Sequence, residues 1–109
     1  MHADLKAGNL LLTDTGQVYV IDWGHATRGA AWIEQALLFP WLLQAGHSPA
    51  MAEGWLSRFP AWQSADGAAL NLFADVNAAF WARFIIDKPF PWARRMADAT
   101  RAWAEWRRP

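Results

Sequence analysis

Two short apolar runs open the chain, and both carry the residue types of strands. Asn9-Leu-Leu-Leu-Thr13 and Gln17-Val-Tyr-Val-Ile21 flank Asp14-Thr-Gly16. β-branched and aromatic residues on either side of a glycine-containing turn predict a β-hairpin over residues 9–21. From Ala31 onward the apolar positions take helical spacing. Trp32, Ile33, Ala36, Leu37 and Trp41 recur at that period, and Phe39, Leu42 and Leu43 make the segment apolar nearly all round, as in a central buried helix. Pro40 is expected to kink or split it. Gly46 is placed to end it, and Ser48-Pro49 offers an N-cap and a first-turn proline for a second helix running to about Phe59.

Residues 60–66 read as a loop. A long helix follows, with Leu70, Phe73, Asn77, Phe80, Trp81 and Phe84 on one face and an end near Asp87. Lys88-Pro-Phe-Pro91 breaks the pattern. A last helix places Trp92, Met96, Ala99, Trp103 and Trp106 on one stripe, with Arg94/Asp98 and Arg101/Glu105 as exposed i,i+4 pairs. The expected fold class is α+β and mainly α: a loop, a hairpin and about four helices in one domain.

Composition narrows the class. With 54% hydrophobic residues, nine Trp and six Phe in 109 residues, the chain is far from the signature of disorder. The tryptophans are expected in the core and at helix contacts. There is no cysteine, hence no disulfide framework, thiolate nucleophile or cysteine zinc site. The expected location is the cytoplasm. No charged-then-apolar leader is visible, and the most apolar stretch, Ala36 to Leu43, is much shorter than the ~18 residues of a membrane span.

Formal charge is zero overall but uneven. Residues 1–82 hold three basic residues against seven acidic ones, and residues 83–109 hold seven against three. The interleaving of those basic residues with Trp92, Met96 and Trp103 fits the solvated face of an amphipathic helix, so neither nucleic acid nor a membrane is an expected partner.

The chemistry concentrates in His2-Ala-Asp4-Leu-Lys6-Ala-Gly-Asn9 and, beyond the hairpin, Ile21-Asp22-Trp23-Gly24. Phosphoryl transfer from a nucleotide needs a group that orients the attacking hydroxyl, and oxygen ligands for a cation that neutralises the phosphates. Asp4 suits the first task, and Asn9 and Asp22 suit the second. Antiparallel pairing brings the two ends of a hairpin together, so an amide oxygen and a carboxylate should approach a common point. Taken singly, Asp4 also fits a turn cap and Asn9 a strand start. Asp22 follows the apolar run Val18 to Ile21, where a carboxylate entering the interior would need a metal or a donor. His25 and His47 read as loop residues.

His-x-Asp-x-x-x-x-Asn, a hairpin, then Asp-aromatic-Gly resembles the layout of kinase-like folds. Ile21-Asp22-Trp23 resembles the aminoglycoside phosphotransferase and choline kinase-like branch more than the eukaryotic protein kinases. The resemblance covers residues 2–36. It implies a C-terminal lobe of a protein kinase-like fold, with a catalytic loop and metal-binding hairpin in residues 1–30 and a helical, substrate-side region in residues 31–109. Asp4 would be the catalytic residue, Asn9 and Asp22 the ligands of Mg²⁺, and His2 a structural brace. Lys6 would be a possible contact of the transferred phosphate. ATP or GTP would be the donor and a hydroxyl of a small molecule the acceptor.

An N-terminal nucleotide lobe is expected to be absent, since no Gly-rich phosphate loop occurs and Lys6 and Lys88 are the only lysines. A catalytically inactive fragment or binding module is therefore the alternative to an enzyme, with self-association through exposed apolar surface. A protein kinase fragment is the third reading, disfavoured by Trp23 and the lack of Ala-Pro-Glu. For the acceptor, Glu34, Glu53, Asp66 and Asp75 are conceivable contacts, although surface acids are commonly just solvated.

Overall fold

A computed structural model describes residues 1–109. A loop and a 3-10 turn at Ala7–Asn9 lead into strands β1 (Leu10–Leu12) and β2 (Val18–Val20). They pair antiparallel with Leu10 opposite Val20 and Leu12 opposite Val18. Gly16 closes the turn at φ +81°, a conformation that costs glycine nothing. Both strands are almost wholly exposed on both faces.

The helices are α1 (Ala31–Gln44), α2 (Pro49–Leu56), the single turn α3 (Pro60–Gln63), α4 (Gly67–Asp87) and α5 (Pro91–Arg107). Gly46 ends α1 at φ +104°, where the His47 N–H reaches back to Leu42 O at 3.2 Å. Ser48 Oγ caps α2 by accepting from the Met51 N–H at 3.1 Å, and Asp66 caps α4. α4 and α5 lie along each other, and α1 packs across α5 with α2 and α3 against its flank. The core joins Ala36 and Phe39 of α1 to Leu56, Trp62, Leu70, Ala74 and Trp103. Trp103 is fully buried and stacks on Phe39, their ring centres 4.1 Å apart.

The structure corrects the sequence reading in several places. Pro40 does not split α1: its ring is fully buried, and that packing outweighs a penalty of about 3 kcal/mol for the lost helical bond and ring clash. α2 stops at Leu56, and the expected loop after Phe59 forms the turn α3, with Pro60 starting it. On α5 the buried stripe is Ala93, Met96, Ala97, Thr100, Trp103 and Ala104, with Ala99 also buried, while Trp92 and Trp106 are about half exposed. Only Trp62 and Trp103 of the nine tryptophans are buried, because so few elements offer too little interior for such large side chains. Arg101 pairs with Asp98 at 3.1 Å instead of with Glu105, and Arg94 donates to Pro89 O. α4, at 21 residues, is long and apolar enough by length and composition to cross a membrane. Asp75 and Arg83 interrupt it, and it buries Leu70 and Ala74.

Candidate active site

His2, 4% exposed, ties the loop ahead of β1 to the far end of β2. Its Nδ1 accepts from the Asp4 N–H at 3.1 Å, and its Nε2 lies 2.7 Å from Ile21 O. A backbone N–H can only donate and a carbonyl can only accept. The imidazole is therefore the tautomer that carries its hydrogen on Nε2. The ring also meets Trp23 edge-on, with centroids 4.7 Å apart. Between His2 and Asp4, Ala3 sits at φ +70°, a left-handed conformation that costs a residue with a Cβ roughly 1–2 kcal/mol. Glu34 at the start of α1 holds it there, both carboxylate oxygens accepting from the Ala3 N–H at 3.0 and 3.3 Å.

Asn9 is buried and anchors Asp4. Its Nδ2 donates to Asp4 O at 2.8 Å and to Asp4 Oδ2 at 3.2 Å. Both partners are acceptors, so the amide orientation is set and Oδ1 is left as an acceptor with no donor in the chain. The Ile21 N–H donates to Asn9 O at 2.9 Å, which carries the hairpin pairing one step past the strands and brings Asp22 to the Asn9 end. Asp22 itself is exposed, not drawn into the interior as the apolar run before it suggested, because β1 and β2 cover nothing. It holds φ +61°, a region that Asp tolerates better than most residues, and its carboxylate has no side-chain partner within the chain.

Asp4 opens onto a cleft of about 330 Å³. Lys6 stands beside it, Nζ 3.7 Å from Asp4 Oδ1, and lies over the Trp41 ring at 5.5 Å from its centre. The far walls are Asn77 and Trp81 of α4 and Trp92 of α5, with His25 at the rim. Sequence reasoning missed these walls. Asn77 and Trp81 are four residues apart on one face of α4, but nothing in the spacing says that this face meets the loop that carries Asp4.

The four acids considered for the acceptor are engaged elsewhere. Glu34 braces Ala3. Glu53 accepts from Trp103 Nε1 at 3.1 Å and pairs with Arg107, Asp66 caps α4, and Asp75 pairs with Arg108 at 3.2 Å. None of them lines the cleft.

No cluster of three or more His, Asp or Glu side chains suitable for a metal exists in the chain. What the hairpin end offers is Asn9 Oδ1 and the Asp22 carboxylate, two hard oxygen donors. That set fits a cation such as Mg²⁺, which completes its shell with water and phosphate oxygens and seldom relies on an all-protein cage.

Neither a curated protein nor a solved structure matches the chain. The family model described as phosphotransferase enzyme family matches residues 1–68, from the loop that carries His2, Asp4 and Asn9 to the first turn of α4. The match takes in more than half of the sequence, and the chain belongs to the phosphotransferase enzyme family.

Proposed function

We propose that this chain is the catalytic half of a small-molecule kinase, built as the C-terminal lobe of a protein kinase-like fold, that serves transfer of the γ-phosphoryl group of ATP or GTP to an acceptor hydroxyl. The cytoplasm, with its nucleotide pool, is the proposed location. The observation that carries the reading is Asp4, held from two sides by His2 and Asn9 at the mouth of a cleft of acceptor size.

The chain's own residues divide the work. Asp4 Oδ2 is occupied by the Asn9 amide, so Oδ1 is the oxygen left for the acceptor. There it accepts the hydrogen of the attacking hydroxyl and aligns its oxygen with the phosphorus. Lys6, beside the same oxygen, is placed to meet the negative charge of the group in transit. His2 and Glu34 take no part in the chemistry; they hold the backbone on either side of Ala3 so that Asp4 keeps its aim. Asn9 Oδ1 and Asp22 would hold Mg²⁺, which when bound neutralises phosphate charge.

The test is Asp4→Asn in a preparation that transfers phosphate. The side chain is nearly isosteric but cannot take the hydroxyl hydrogen in the same way, so turnover should fall at least ~100-fold, within the range of general-base contributions. Circular dichroism and melting temperature should stay unchanged. Wild-type turnover in that variant would remove Asp4 from the mechanism.

A further inference from the structure

We infer that the acceptor is an uncharged hydroxyl compound with a flat apolar face, such as a sugar ring, and not a polycation. The inference rests on the phosphotransferase reading and adds the substrate class. It starts from the charge of the cleft. Asp4 is its one acid, and Lys6 at 3.7 Å already compensates it. Glu34, Glu53, Asp66 and Asp75 are bound to Ala3, to Arg107 and Trp103, to the α4 N-terminus and to Arg108, and Asp22 stands at the hairpin end outside the cleft lining.

Aromatic rings can hold cations without acids, but Trp41, the tryptophan of α1 in the cleft, is already occupied by a cation, with Lys6 Nζ 5.5 Å from its centre. A second positive charge there would meet repulsion.

The rest of the lining favours a neutral guest. Trp81 and Trp92 stand edge to face, ring centres 6.1 Å apart, and offer an apolar wall on which the C–H face of a ring can lie. Asn77 is half-buried, lines the same cleft and makes no side-chain hydrogen bond within the chain. Its amide carries both donors and an acceptor, which suits hydroxyl groups of a neutral ligand. All three residues lie beyond residue 68, where the family match ends.

The experiment measures binding apart from transfer. The full 109-residue chain is titrated with methyl β-D-glucopyranoside and with the polycation kanamycin, in parallel with Trp81→Ala and Asn77→Asp. The glucoside should bind the wild type and lose about tenfold in Trp81→Ala, while kanamycin should bind more weakly than the glucoside. Asn77→Asp, a surface-accessible and nearly isosteric change, should reverse that order by adding one negative charge. Kanamycin binding tenfold tighter than the glucoside in the wild type would overturn the inference, as would glucoside binding that neither variant alters, or none at all. Failure of the phosphotransferase reading looks different: the glucoside binds and the variants respond as stated, yet no phosphate passes from ATP or GTP to it or to any other acceptor.

Discussion

Glu34, Asn9 and Asp22 have geometry that commits them to measurable roles. Glu34 takes the Ala3 N–H on both carboxylate oxygens, a charge-assisted bond that offsets the left-handed backbone at Ala3. Removing it in Glu34→Ala should release about 2 kcal/mol of local restraint, and the Ala3 amide should then exchange with solvent about 30-fold faster. Unchanged exchange would show that His2 and Asn9 hold the loop without Glu34. At the hairpin end, in a preparation that binds nucleotide, Asp22→Ala should weaken nucleotide-dependent binding of Mn²⁺, used as a paramagnetic stand-in for Mg²⁺, more than Asn9→Ala does. A carboxylate brings charge to a hard cation and an amide does not. Equal losses in spin-resonance titrations would count against the assignment of these two donors.

Among elements, the junction of α2, α4 and α5 depends on one largely buried ion pair. Arg107 of α5 pairs with Glu53 of α2 and also donates to Asn71 Oδ1 of α4 at 2.7 Å, while Glu53 accepts from Trp103 as well. The side chains of the pair are 15% and 17% exposed, so breaking it strands a charge away from water. Glu53→Ala should cost about 3 kcal/mol in denaturant unfolding, and Glu53→Gln less, because the amide oxygen can still accept from Trp103. A loss under 1 kcal/mol in the alanine variant would mean that the helices are held by the Phe39 and Trp103 stack without it.

At the scale of the molecule, apolar surface exceeds what the interior can take. Only 17 of 109 residues are buried, and Leu11, Leu12, Val18, Leu72, Phe80 and Ile86 are each more than half exposed. Exposed apolar area on this scale favours association. The chain alone should therefore sediment as a concentration-dependent mixture, and analytical ultracentrifugation checks this. A monodisperse monomer across the accessible concentrations would refute it. The same chain should show no measurable nucleotide hydrolysis, since two protein oxygens hold a cation poorly without phosphates and no residue of the sequence forms a Gly-rich phosphate loop. Tight ATP binding in calorimetry would contradict this.

Read by itself, the sequence determined what is local. The hairpin, the glycine at the end of α1, the Ser48 position at the start of α2 and the break at Lys88 to Pro91 all follow from backbone preferences of residues close in the chain. The spacing of His2, Asp4, Asn9 and Asp22 was legible for the same reason, since a hairpin returns its two ends to one place. Tertiary structure decided the rest. It kept Pro40 inside an unbroken α1 by burying its ring, left Asp22 in solvent because nothing covers the hairpin, and turned Glu34 from a surface acid into a brace for Ala3. It also chose which side of α4 faces Asp4. Helical periodicity marks a face as apolar but is silent on what that face meets, and only the packing of α4 and α5 beside the Asp4 loop makes Asn77, Trp81 and Trp92 the walls of a cleft.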